Sequence, residues 1–103
     1  MNTVNAPTAF ARSVMELLGC IDYRLAQTPE EKEAIYQLRY ACYLREGAIR
    51  PNRSHLFHDD YDRAPNVWIF GVHIGDRLAS SIRVHVATPD VPVSPGLAIF
   101  NDI

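Results

Sequence analysis

Three carboxylates, two imidazoles and a phenol crowd into the run His55-Leu56-Phe57-His58-Asp59-Asp60-Tyr61-Asp62. Carboxylates this close repel one another unless a cation orders them, and an ordered set can hold an ammonium group. The cation candidate is Arg83. A two-residue Gly75-Asp76 turn, suited to type II′ geometry, joins Val67 to Ile74 with Arg77 to Ala87 and returns Arg83 toward the acids. If Ile74 faces Arg77, then Trp68 faces Arg83 and Phe70 faces Ser81, leaving Val67, Ile69, Leu78, Ile82, Val84 and Val86 as an aliphatic core face. An arginine beside Trp68 on a covered face needs a partner.

Arg39 and Tyr43 share a helix face four residues apart, and Arg39 could add a second anion or carboxylate contact. Each of these groups has a plainer reading as well. Asp59, Asp60 and Asp62 could be a solvated acidic loop, Arg39 an exposed helix arginine, and Arg83 a surface side chain lying across an aromatic. His55, His58, Asp59 and Asp62 also have the ligand types for a divalent metal. Their spacing fits neither the zincin helix nor the calcium loop, so no metal site is expected. His73 and His85 are poor candidates for joining the cluster. No G-x-S-x-G, Walker or G-x-G-x-x-G run occurs, which removes support for hydrolase, nucleotide-phosphate and dinucleotide chemistry.

The positioning elements follow from pattern. Residues 1–7 should be flexible; Ala9 to Leu18 carries Phe10, Val14, Leu17 and Leu18 at helical spacing and ends at Gly19. Ile21 to Ala26 alternates as a strand. Thr28-Pro29-Glu30-Glu31 is a capping-box helix start, and Gly47 stops that helix. Within it Ile35, Leu38 and Cys42 form a core stripe beside an aromatic-polar one of Tyr36, Arg39 or Tyr40, and Tyr43. Ala48 to Pro65 reads as a long loop, of a length found in lids and binding loops. After the hairpin a proline-rich connector leads to a short apolar piece. The sum is an α+β fold: one domain over 8–103, with a mainly antiparallel sheet and an exposed sheet edge open to a partner chain or a second copy.

Composition agrees with a folded domain, at 103 residues and 48% hydrophobic. The net charge of −2, without a basic run, speaks against a nucleic-acid partner. No apolar stretch reaches the ~20 residues of a membrane span and no signal peptide is evident, so the expected address is the cytoplasm. Cys20 and Cys42 lack a C-x-x-C pairing and read as reduced packing residues.

Taken in order, Leu38-Arg39-Tyr40, Tyr43-Leu44-Arg45-Glu46-Gly47, Asp59-Asp60-Tyr61-Asp62 and Ser81-Ile82-Arg83-Val84 resemble the front half of long-chain N-acyl amino acid synthases. These are GNAT-fold acyltransferases, three-layer α/β proteins related to the acyl-homoserine-lactone synthases. The lactone synthases tend to carry a glutamate two positions before the first aspartate; Phe57 stands there in this chain, which favours the acyl amino acid branch. The resemblance covers Tyr23 to Ile103 and implies an amine-substrate site built from Arg39, Tyr43, Asp59, Asp62 and Arg83, to which the hairpin reading adds Trp68. It implies no bound cofactor, only an acyl-CoA or acyl-carrier-protein thioester as co-substrate, with an amino acid or related amine as acceptor. The strand and helix that hold the donor's pantetheine arm in GNAT folds have no counterpart before Ile103, so a truncated or partial domain is expected. The alternatives are a non-catalytic module that pairs through its open sheet edge and, less favoured, a metal-binding loop protein.

Overall fold

The computed structural model describes residues 8–100. The expected flexible stretch 1–7 lies outside them. Thr8 caps helix α1, Ala9–Gly19, by accepting a hydrogen bond from the Ala11 N–H at 3.0 Å. Strand β1, Ile21–Leu25, follows directly. Helix α2, Pro29–Arg45, opens with the expected capping box: Thr28 Oγ1 accepts from the Glu31 N–H and Glu31 Oε1 accepts from the Thr28 N–H, both at 3.1 Å. These contacts satisfy N–H groups that the first helical turn otherwise leaves unpaired.

Strands β2, Val67–Ile74, and β3, Arg77–His85, form the hairpin, and Gly75 takes φ +61° at its turn. The sheet is antiparallel throughout in the order β1-β2-β3, so the fold is α+β. Helix α2 covers one face, where Ala26, Ile35 and Ile69 form the buried centre with Tyr36, Val67 and Leu78 packed around it. β1 stops at Leu25 rather than Ala26, although the Ala26 N–H still donates to the Ile69 carbonyl at 2.8 Å. β3 stops at His85, two residues short of the expected Ala87.

The register departs from the sequence expectation at one point with a large effect. Ile74 does face Arg77, but His73 pairs with Leu78 while Val72 pairs with Ser80, leaving Ala79 as an extra residue in β3. This β-bulge shifts every later pair by one and exchanges the faces of β3 beyond it. Arg83 therefore stands opposite Ile69 on the face toward α2, and Trp68 stands opposite Val84 on the other face. Ile82, Val84 and Val86, expected in the core, are 43%, 40% and 51% exposed.

The stretch 48–65 is less irregular than its composition suggests. Residues Asp60–Arg63 form a 3-10 helix, and Asn52 organises the approach to it. Asn52 Oδ1 accepts from the His55 N–H at 2.8 Å and from Ser54 Oγ at 3.0 Å, while Asn52 Nδ2 donates to the Leu56 carbonyl. The local turn holds His55 at φ +56°, a left-handed conformation that non-glycine residues seldom adopt. The Asn52 N–H donates to Tyr40 Oη and the Phe57 N–H to the Tyr36 carbonyl, so the loop is tied to α2 at two points. Helix α3, Pro95–Phe100, closes the described chain. Asn66 Nδ2 holds the connector before it by donating to the carbonyls of Val86 and Val93.

Candidate active site

The register shift brings an arginine from β3 and an arginine from α2 to one carboxylate. Asp62, 2% exposed, sits in the 3-10 helix with its side chain turned inward. Arg39 Nη1 donates to both of its oxygens, at 2.8 and 2.9 Å. Arg83 Nη1 lies 3.2 Å from Asp62 Oδ1 and donates to Asp59 Oδ1 at 2.6 Å. The Asp59 N–H in turn donates to Asp62 Oδ2 at 2.9 Å. Two arginines and two aspartates thus form one connected, electrically balanced network in which every bond is charge-assisted.

The electrostatics follow from this arrangement. Burial pushes the Asp62 carboxyl up, but the Asp59 N–H and the two guanidinium groups outweigh it and hold the group below the usual aspartate value. Burial likewise works against the charge on Arg83, and hydrogen bonds to Asp59 and Asp62 overcome it, leaving its pKa raised. Tyr36 lies under the Arg39 guanidinium, 5.4 Å from ring centroid to Cζ, and Tyr61 lies 5.9 Å from the Arg83 Cζ. Burial, and then the Asp62 charge, push the Tyr36 phenol up, so the ring stays neutral beneath the cation.

Above this network opens a pocket of about 160 Å³ lined by Arg39, Tyr43, Phe57, Asp59, Ser81 and Arg83. Tyr43 meets Phe57 edge to face, with centroids 4.9 Å apart, and the pair forms one wall. The Asp59 side chain is 44% exposed and Arg83 23%, so both reach a ligand in the pocket, whereas Asp62 lies beneath it as an anchor. Only Nη1 of each arginine is engaged; among the described residues nothing hydrogen-bonds Nε or Nη2 of either. The site can therefore offer a carboxylate to a cation and free guanidinium N–H groups to an anion a few ångströms away.

Of the six residues that the sequence singles out, Arg39, Tyr43, Asp59, Asp62 and Arg83 come together and Trp68 does not. Trp68 was expected beside Arg83; the bulge at Ala79 turns the two to opposite faces, and Trp68 is 41% exposed on the side away from α2. Asp60 is exposed and forms no ion pair among the described residues. The two histidines of the cluster turn toward α2: His55 stacks on Tyr40, and His58 packs on Tyr36 and contacts Arg63. Their rings thus leave the aspartates to the arginines. Among the described residues no group of three His, Cys, Asp or Glu side chains is arranged to hold a metal.

Phe57, Ser81 and Tyr61 belong to the site without having been foreseen, and His85 approaches it, with Nε2 2.9 Å from the Tyr61 carbonyl oxygen. Ser81 and His85 share Arg83's face by the two-residue strand period, and that period is the signal that could have found them. Among the described residues, no helix is long and apolar enough to cross a membrane.

Comparison with known proteins bears on this arrangement directly. A search of curated proteins and a search of solved structures each found no significant match. The family model described as N-acyl amino acid synthase FeeM matches residues 34–103, more than half of the chain, and that span contains every residue of the Arg39, Asp59, Asp62 and Arg83 network. With the family model covering both the network and the pocket above it, the chain belongs to the N-acyl amino acid synthase FeeM family.

Proposed function

We propose that this chain provides the amine-acceptor site of a GNAT-like N-acyltransferase, which moves a long-chain acyl group from a thioester to the amine of an amino acid. The observation that carries this reading is the juxtaposition, at one pocket, of the half-exposed Asp59 carboxylate with the unengaged N–H groups of Arg39 and Arg83. A free α-amino acid presents an ammonium and a carboxylate on one carbon, which is the complementary pair of charges. Asp59 receives the ammonium, and Arg83 with Arg39 receives the carboxylate.

In the reaction the acceptor loses one proton, and its nitrogen lone pair attacks the thioester carbonyl. A C–N bond forms, the C–S bond breaks, and a second proton leaves the nitrogen and ends on the departing sulfur, so that coenzyme A or the acyl carrier protein leaves as its thiol. Asp62 takes no part in bond making. It fixes Arg39 and Arg83 in place, so that the acceptor is oriented before the donor arrives and proximity supplies much of the rate. Incubation of an acyltransferase that joins this acceptor site to a donor-binding half with long-chain acyl-CoA, or with acyl-loaded carrier protein, and a mixture of amino acids tests this by mass spectrometry. An N-acyl amino acid whose formation falls in Arg83→Ala supports it; acylation with equal efficiency by Arg83→Ala refutes it.

A second reading is favoured by a different observation. β3 is an edge strand, and the sheet face bearing Trp68, Ile82 and Val84 is half-exposed. A module that binds a partner by strand addition would use that edge. It predicts association that is lost when a proline is placed in β3 and that leaves amino-acid binding untouched.

A further inference from the structure

Helix α1 takes no part in the charged site, and it lies outside the residues 34–103 that the family model matches. It buries no residue, and Phe10 is 80% exposed and Leu18 60%. At about 100° per residue, Phe10, Ala11, Val14, Leu17 and Leu18 fall in one apolar stripe with Val14 at its centre, while Arg12 and Glu16 lie on the far side of the helix. Ser13 flanks the stripe with its hydroxyl already satisfied, donating to the Ala9 carbonyl at 3.0 Å. A stripe of this width belongs to a helix packed against another surface, and an isolated helix shorter than ~12–15 residues is marginal in water. The 11 residues of α1 therefore form an element whose helical state needs a partner.

We infer that the partner is a second copy of this chain, with two α1 helices paired antiparallel about a two-fold axis at Val14. The stripe is symmetric about that residue. Such an axis sets Val14 against its own counterpart, each Phe10 against a Leu18 and each Ala11 against a Leu17, so every apolar side chain of the stripe meets another. An isologous contact requires this self-complementarity, whereas a helix that docks on an unlike surface has no need of it. The apolar side chains of one α1 expose on the order of 500 Å², so a pair approaches the ~1,000 Å² that a specific interface needs, at the weak and reversible end of the range. Arg12 and Glu16 cancel, which leaves Ala9–Gly19 without the surplus of Lys and Arg that marks a helix lying on anionic lipid. No α1 residue lines the acceptor pocket, so the pairing leaves that pocket open.

The test is analytical ultracentrifugation of the 103-residue chain from micromolar to submillimolar concentration, for wild type, Val14→Glu and Glu16→Gln, with thermal melts to establish that each variant is folded. Leu18→Gln, at the rim of the stripe, serves where Val14→Glu lowers the melt. Wild type should show a reversible monomer–dimer equilibrium. Val14→Glu should weaken it by about tenfold or more, because the axis brings two like charges together, and Glu16→Gln, on the far side, should leave it unchanged. A wild type that stays monomeric throughout overturns the inference. Association of equal strength in wild type and Val14→Glu also overturns it and moves the contact to another surface, such as the β3 edge. Co-sedimentation of a monomeric wild type with phosphatidylcholine and phosphatidylglycerol vesicles, lost in Val14→Glu, overturns it in favour of a membrane-surface helix.

Discussion

Arg39 Nη1 lies within 2.9 Å of both oxygens of Asp62, so one helix donor spans the whole carboxylate of a residue in the loop. The contact joins α2 to the 3-10 helix across 23 residues, and Arg83 completes it from β3. Helix α2, the 3-10 helix and β3 thus converge on one buried acid, and the last two are also joined by His85 Nε2 at the Tyr61 carbonyl.

Removing that acid should be costly. Asp62→Ala leaves Arg39 and Arg83 partly buried without their shared counter-charge. Loss of one partner of a buried pair costs about 3–5 kcal/mol, and the residual exposure of both arginines places this case toward the lower end. Urea unfolding of wild type and variant measures it. A difference under about 1 kcal/mol, the scale of an exposed pair, would mean that the network is not an anchor.

Stability should also depend on pH with a definite sign. Because the folded-state pKa of Asp62 is lowered, the carboxylate's contribution is fully present above the unfolded value of about 3.9 and is lost as the pH falls through the lower folded value. The urea midpoint of the wild type should therefore drop more steeply below about pH 4 than that of Asp62→Asn, which has no proton to take up at this position. Parallel curves would contradict the linkage.

Much of this site is legible in the sequence. The acidic run, the arginines at 39 and 83, the capping box at Thr28 and the Gly75-Asp76 turn all carry local chemistry that acts without tertiary context. The bulge is not legible, because no glycine or proline marks Ala79 and the extra residue is set by packing across the sheet. That one position accounts for the misplacement of Trp68, Ile82 and Val84. The order in 48–65 is also hidden, since it arises from Asn52 side-chain bonds and from tethers to α2 that periodicity does not encode.

The bulge makes its own prediction. Deleting Ala79 restores the simple hairpin register and turns Arg83 to the Trp68 face. The variant should lose amino-acid binding, and contacts between the Arg83 and Trp68 side chains should appear in nuclear Overhauser spectra. Retention of binding without such contacts would show that the strand accommodates the deletion elsewhere.

Arg83 should matter more for binding than for folding. Charge-assisted hydrogen bonds contribute about 1.5–3 kcal/mol, so in an enzyme that joins this site to a donor-binding half Arg83→Gln should lower kcat/KM for the amino acid by roughly 10- to 150-fold. KM for the acyl donor should be unaffected. A loss confined to the donor's KM would move Arg83 out of the acceptor site.

The most direct test of the central claim compares a free amino acid with its methyl ester, which keeps the ammonium group and removes the carboxylate charge. Titration calorimetry should give at least tenfold tighter binding of the free acid to wild-type protein, and Arg83→Ala should erase that preference. Equal affinity of acid and ester for the wild type would contradict an acceptor site in which Asp59 holds the amine and Arg83 the carboxylate.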